Sequence, residues 1–335
     1  MNPMILTTAL LLGAAVAIYA ACEYFVNGVE WLGRRFAVGQ QATGSILAAF
    51  GTALPESVIT FIAVVFGTTA AQKEIGVGAA LGGPLVLATI AYAVVGLTLI
   101  ACRTRLPESA AVRRVFKRLS VDQGSFLAVF GLKIGLGLVV FAYKPWLGAV
   151  FLALYGVYVW KEMGEESVEA DGELEPLKLM PSRETPPTWA IVTQTLIALA
   201  VIFVAARAFV GQLDLLGPAL GIRPQVLALL LSPIATELPE TLNAIIWVRQ
   251  GKYRLALANI SGSMMIQVTI PTALGLFFTP WLFDTALIVG AMTTMLAVGV
   301  MFFVFRRGLV SRRLLASMGL FYLAFAIVLI AMHLV

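Results

Sequence analysis

Charge is scarce in this sequence. Of 335 residues, only 12% are Asp, Glu, Lys or Arg, about half of the roughly 25% that a soluble domain carries. A chain so poor in charge cannot cover itself with solvated side chains, which excludes a soluble enzyme, a nucleic-acid binder and a disordered protein. Histidine is limited to His333 and cysteine to Cys22 and Cys102. That scarcity excludes a transition-metal centre of the soft-ligand type. The two cysteines lie in or beside apolar runs far apart in sequence, so they read as unpaired thiols rather than a disulfide. The net charge of +5 is no nucleic-acid signal, because the basic residues gather at the borders of apolar runs.

Apolar sequence is what the chain has in quantity, at 60%. That is enough for about ten helices of roughly 20 residues each, the length that spans a bilayer. Runs and breaks place spans near 4–33, 41–67, 75–101, 124–142, 145–160, 188–212, 224–248, 254–278, 281–305 and 312–333. They are too long and too continuously apolar for barrel strands, so they read as helices. The first run has no basic segment before it and is followed by further spans, unlike a cleaved signal peptide.

The connectors test this division. Alternate connectors hold Arg34 and Arg35; Arg103, Arg105, Arg113, Arg114, Lys117 and Arg118; Lys161, Lys178 and Arg183; Arg249, Lys252 and Arg254; and Arg306, Arg307, Arg312 and Arg313. The opposite side has only Lys73, Lys144 and Arg223, so 18 basic residues face 3. Lys133 and Arg207 remain inside spans. Ten spans with both termini outside an inner or plasma membrane satisfy the positive-inside rule. The fifth connector is long and acidic, reading EMGEESVEADGELE from Glu162 to Glu175 before Pro181, Pro186 and Pro187. It reads as a polar, mobile linker at 162–187 between a first five-helix unit, 1–161, and a second, 188–335.

The two units repeat each other. With a shift of 184 residues, Phe25 and Val26 meet Phe209 and Val210, Leu32 and Gly33 meet Leu216 and Gly217, and Gln41 meets Gln225. Thr52 meets Thr236, and Leu54-Pro55-Glu56 meets Leu238-Pro239-Glu240. The offset is five spans, an odd number, so the second copy enters the membrane from the opposite side. Inverted repeats of this kind mark secondary transporters.

Glu56 and Glu240 each sit inside an apolar span, where a charged carboxylate costs at least a few kcal/mol. No basic residue lies within a helical turn of either, so a bound cation is the natural counter-charge. Pro55 and Pro239 lack an N–H, which frees carbonyls about one turn earlier, near Thr52 and Thr236. Carbonyls, threonine hydroxyls and carboxylates are hard oxygen donors suited to Ca²⁺ or Na⁺. Small-residue runs follow each carboxylate, GVGAALGGP at 76–84 and ANISGS at 258–263, and both also suit close helix packing. Asn259, Ser263 and Gln267, spaced by four, share one helical face. Glu237 stands three residues before Glu240, and on a continuous helix the two carboxylates face the same way and resist ionising together. No nucleophile or metal triad accompanies them, and the chain does not read as an enzyme.

FGTALPES at 50–57 and IATELPET at 234–241 resemble the two alpha repeats of the calcium/cation antiporter superfamily, sodium/calcium exchanger type. Residues 25–56 are similar to that family's first repeat, and ALANISGS at 256–263 to the run after its second carboxylate. The resemblance implies an all-α polytopic membrane protein of ten transmembrane helices in two inverted five-helix repeats. It implies an antiporter exchanging Ca²⁺ for Na⁺ by alternating access, or Ca²⁺ for H⁺ at the same carboxylates, with no cofactor beyond the transported ions. Glu56 and Glu240 then take the shared carboxylate role, Thr52 and Thr236 supply hydroxyl or carbonyl oxygen, and Asn259 and Ser263 flank the ion. The chain departs from the family where Ser is usual: Ala53 and Glu237 stand there, and Ala79 and Gly83 replace common Asn and Ser. The first half has thus lost oxygen ligands and the second has gained a carboxylate.

Overall fold

The computed structural model describes residues 3–35, 48–104, 106, 110–163 and 175–332, excluding the side chains of 3, 48–53, 110–111, 162–163 and 234–235. His333 lies outside the described residues. Among those described there is no strand. The described apolar runs are helical, which closes most of their backbone hydrogen bonds within each run, as hydrocarbon requires.

The helices are α1 (Pro3–Arg35), α2 (Ala48–Val65), α3 (Ala70–Ala101), α4 (Ala110–Leu138) and α5 (Leu147–Met163). They continue with α6 (Thr188–Leu220), α7 (Pro224–Thr236), α8 (Leu238–Arg249), α9 (Tyr253–Phe278), α10 (Thr285–Arg307) and α11 (Arg312–Ala331). The fold is all-α and polytopic, with ten spans in two inverted repeats. Seven helices, α1, α3, α4, α6, α9, α10 and α11, are long and apolar enough to cross a membrane by themselves. The other three spans differ for visible reasons. In α2 the described apolar stretch is Leu54–Val65, α5 has 17 residues, and α7 and α8 are one span broken at Glu237.

Helix packing carries the repeat. α1 lies along α6 and α4 along α10, so the first and fourth spans of each half meet their counterparts. α3 packs on α7 while α9 packs on α2, and α5 packs on α9 while α11 packs on α3. Exchanging the halves maps each of these contacts onto another. α9 is the most enclosed long span, with 78% of its apolar window buried, whereas α11 has 22%; α9 is central and α11 peripheral. Leu12, Val16, Leu196 and Val204 project from α1 and α6 as exposed apolar side chains, the pattern of a lipid-facing surface.

The small-residue run of α3 has a packing explanation at two positions. A Cβ on Gly78 would overlap the backbone carbonyl of Gln225, and one on Gly82 would overlap that of Leu229 and the ring of Pro233. Spaced by four, these glycines lay the backbone of α3 directly against α7. Pro84 follows inside α3, and a π-helical turn at Leu87–Ala91 comes after it.

The linker is not polar and loose throughout. Residues 164–174 lie outside the description, but 175–180 are strapped across α1 and α6. Asn27 Nδ2 donates to the carbonyls of Glu175 and Pro176, both at 3.3 Å, and Trp31 Nε1 donates to that of Glu175 at 3.0 Å. Lys178 N donates to Asn27 Oδ1 at 3.0 Å and Leu179 N to Gln194 Oε1 at 2.7 Å. Leu177 is fully buried against Trp31, Ala190 and Ile191. The apolar residues of Pro176–Met180, read earlier as part of a charged linker, supply the reason.

Candidate cation site

Glu56 is carried into the interior by α2, on a helix that runs through Pro55. Its carboxylate rests against α3 at Gly83, where a Cβ would overlap Oε1, Oε2 and Cδ. Glycine there is a requirement of the site: any side chain would occupy the carboxylate's place.

The second half reaches the same region through a break. α7 ends at Thr236, and α8 starts at Leu238. Pro239 cannot donate to a carbonyl one turn back, and with its ring at the second position of α8 it suits a helix start rather than a continuation. The continuous helix assumed for Glu237 and Glu240 is therefore replaced by a hinge at Glu237. Glu240 falls in the first turn of α8, where backbone N–H groups and the helix dipole favour a negative charge. Paired half-helices of this kind are where transporters place ions.

Three carboxyls, Glu56, Glu237 and Glu240, are all buried to within 1% of complete enclosure. Glu237 Oε1 accepts from Thr236 Oγ1 at 2.8 Å and Oε2 accepts from Gln267 Nε2 at 2.9 Å. Glu237 lies within electrostatic range of Glu56. Both are acceptors when ionised, so two such groups in one enclosure repel. Glu240 lies within electrostatic range of Glu56. Glu237, the residue that departs from the family pattern, thus joins Glu240 in acting on Glu56. Among the described residues no three His, Cys, Asp or Glu side chains converge tightly enough to cage a metal ion, so other oxygen donors must complete any cation shell.

Those donors are present. Both oxygens of Glu56, Oγ of Ser232, Oγ of Ser263 and Oε1 of Gln267 are buried without a hydrogen-bond donor. Ser263 is one turn before Gln267 on α9, and Ser232 one turn before Thr236 on α7. An unsatisfied buried polar group costs about 1–3 kcal/mol, a cost that a bound cation would remove. Asn259 is only half-buried, and its Nδ2 has no partner. Thr52 lies one turn before Glu56 on α2, with its side chain outside the described residues.

The structure gives reasons for residues that the sequence reading left without a role or counted only as a lost ligand. Gly83 makes room for Glu56. Ser232 and Thr60, both fully buried, are short hydroxyls on α7 and α2 with no sequence signal beyond polarity in an apolar run. Lys133, noticed only as a basic residue inside a span, is fully enclosed on α4 and within electrostatic range of Glu56.

Two inverted halves with three buried carboxyls, two of them at the break in the second half, define a membrane transporter rather than an enzyme. The chain belongs to the sodium/calcium exchanger protein family, which it matches over residues 6–162 and 191–335. It is 26% identical over 306 residues to the inner membrane protein YrbG of Escherichia coli, covering 89% of this chain and 88% of that protein. It is 25% identical over 289 residues to the putative antiporter CaxA of Alkalimonas amylolytica, covering 84% of each. Its fold is similar to that of the H⁺/Ca²⁺ exchanger CAX, with TM-score 0.69 at 16% identity over 97% of this chain and 88% of that one. It is also similar to the sodium-calcium exchanger NCX_Mj, soaked with 10 mM Na⁺ and zero Ca²⁺. There the TM-score is 0.58 at 21% identity, over 98% of this chain and 99% of that one.

Proposed function

We propose that this protein is a secondary antiporter that moves Ca²⁺ against Na⁺ across the inner or plasma membrane by alternating access. The observation that carries the reading is the burial of Glu56 with Glu237 and Glu240 in its electrostatic range, and with unsatisfied oxygens on Glu56 itself and on Ser232, Ser263 and Gln267 of the adjoining helices. Hard oxygens with excess negative charge suit a small, hard cation, and a divalent ion compensates two carboxylates at once. Ca²⁺ is cargo here: Glu56 and Glu240 bind it, and hydroxyl and amide oxygens of Thr52, Thr236, Asn259, Ser263 and Gln267 complete its shell. The units 1–161 and 188–335 are the two repeats that rock about this site, joined through 162–187.

A second reading exchanges Ca²⁺ for H⁺, and one observation favours it. Glu56, Glu237 and Glu240 are buried and act electrostatically on one another, and ionised carboxylates in a poorly solvated site repel, so a proton on one of them would relieve the empty site. Arriving Ca²⁺ would expel that proton. Proteoliposomes loaded with ⁴⁵Ca²⁺, given a Na⁺ gradient at matched pH and then a pH gradient without Na⁺, separate the readings. Efflux driven only by Na⁺ supports the first, efflux driven only by H⁺ the second, and efflux under neither overturns the antiporter reading.

A further inference from the structure

The mechanism above leaves one buried charge unused. Lys133 is fully enclosed on α4, and an ammonium out of water costs several kcal/mol unless compensated. Its place is decided by a proline on another helix. Pro84 has no N–H, so the carbonyl of Ala80, four residues earlier in α3, lacks its intrahelical donor. Lys133 Nζ donates to that carbonyl at 2.6 Å. Around the rest of the ammonium lie the rings of Phe130 and Trp281, with Nζ 5.4 Å and 5.8 Å from their centroids, a soft cation–π enclosure.

Lys144 shows what a lysine clamp looks like in the same molecule. Its Nζ donates to the carbonyls of Val139, Pro280 and Trp281 at 2.7, 2.9 and 2.8 Å. Every N–H is used, and the lysine staples two loops together. Lys133 has a single carbonyl. Ala80 is three residues before Gly83, the residue against which the Glu56 carboxylate rests. Lys133 and Glu56 interact electrostatically without forming a direct ion pair, and Glu237 and Glu240 act on Glu56 from the α7–α8 break. Transporters coordinate Na⁺ with backbone carbonyls released from helical bonding, and Ala80 presents one a turn before the glycine that the Glu56 carboxylate meets.

We propose that the Lys133 ammonium is a tethered cation that stands in the place of one exchangeable monovalent ion, so that the site holds one mobile cation fewer than its oxygens could accept. The proposal rests on the carboxyl cluster being the Ca²⁺ exchange site. A lysine satisfying the Ala80 carbonyl for structural reasons alone would be replaceable by any donor. A tethered cation is replaceable only by another cation.

The test is equilibrium ⁴⁵Ca²⁺ binding to the purified full chain in detergent, displaced by Na⁺, for wild type, Lys133→Met and Lys133→Gln. Glutamine keeps a donor for the Ala80 carbonyl but not the charge. The expected result is that both variants raise the Hill coefficient for Na⁺ displacement by about one over wild type, since one positive charge must be replaced. A Lys133→Gln protein that behaves as wild type, or unchanged steepness in both variants, overturns the proposal. If both variants misfold, each is combined with Glu56→Gln. Recovery of a monodisperse protein in the double variant supports charge compensation, and failure to recover assigns Lys133 a purely structural role and overturns it. Absence of Ca²⁺ binding by the wild type overturns the exchange reading itself, whereas wild-type Ca²⁺ binding with unchanged Na⁺ steepness overturns only the tethered cation.

Discussion

Gly83 has no side chain, and the Glu56 carboxylate uses the space that one would fill. Replacement by Ala must displace either the carboxylate or α3, and α3 is held against α7 by the backbone approach at Gly78 and Gly82. We expect Gly83→Ala to reduce ⁴⁵Ca²⁺ uptake in proteoliposomes at least about tenfold, a barrier or binding cost of roughly 1.4 kcal/mol or more. Gly82→Ala should instead lower thermal stability. Uptake by Gly83→Ala equal to wild type would show that Glu56 holds its cation elsewhere. Glu237 is tested by Glu237→Ser, which removes a carboxyl within electrostatic range of Glu56 and leaves a hydroxyl. With one carboxyl fewer to hold a proton, the curve of Ca²⁺ uptake against pH should flatten, and a curve identical to wild type would remove Glu237 from coupling. The carboxylates themselves were legible in the sequence, because a charge inside an apolar run must have a reason. Gly83 stood out only as a missing Ser ligand, because that it makes room for Glu56 depends on the rotation of α3 against α2. Lys133 was visible as an anomaly, but the Ala80 carbonyl it serves belongs to a helix 53 residues away.

At the scale of the helix, breaks are informative where hydropathy is not. Apolar runs located the spans, yet the run at 224–248 gave no sign that its helix stops at Thr236. The signal lay in Pro239, which suits the first turn of a new helix better than the middle of an old one. The strap at 175–180 shows the opposite failure. Acidic residues upstream coloured the whole connector as a solvated linker, while Leu177 in its second half is fully buried. Asn27 is the centre of that strap, donating to the carbonyls of Glu175 and Pro176 and accepting from Lys178 N and from Gln194 Nε2 at 2.9 Å. Asn27→Ala orphans several of these partners at once. It should cost about 1–3 kcal/mol for each group left buried, read as a lower unfolding temperature in detergent. Ca²⁺ affinity should stay at the wild-type value, because the strap lies outside the carboxyl cluster. An Asn27→Ala protein as stable as wild type would mean that the strap closes without it.

For the molecule as a whole, orientation is set by where positive charge can stay solvated. The structure sharpens the contrast of 18 basic residues with 3 on the two sides. Of the three on the sparse side, Lys144 spends its charge on loop carbonyls, and Arg223 Nη1 pairs with Asp284 Oδ2 at 3.0 Å. Little unpaired positive charge is left to hold that side in the cytoplasm. The rich side should therefore be cytoplasmic and both termini outside. The native thiols offer a direct probe, because both are free and Cys102 is exposed while Cys22 is buried. Cys102 lies in the connector between α3 and α4, on the rich side. In intact cells an impermeant maleimide should leave the wild type unlabelled and should react after permeabilisation. A Cys102→Ser, Thr68→Cys protein, whose probe sits in the exposed connector between α2 and α3, should give the reverse and label in intact cells. Labelling of Cys102 in intact cells, with protection of Thr68→Cys, would invert the protein in the membrane. Neighbouring connectors reacting from the same side would remove a span between them. Since the inverted repeat requires equivalent carboxylates to be offset by an odd number of spans, that second outcome would also dissolve the pairing of Glu56 with the α7–α8 break on which the site depends.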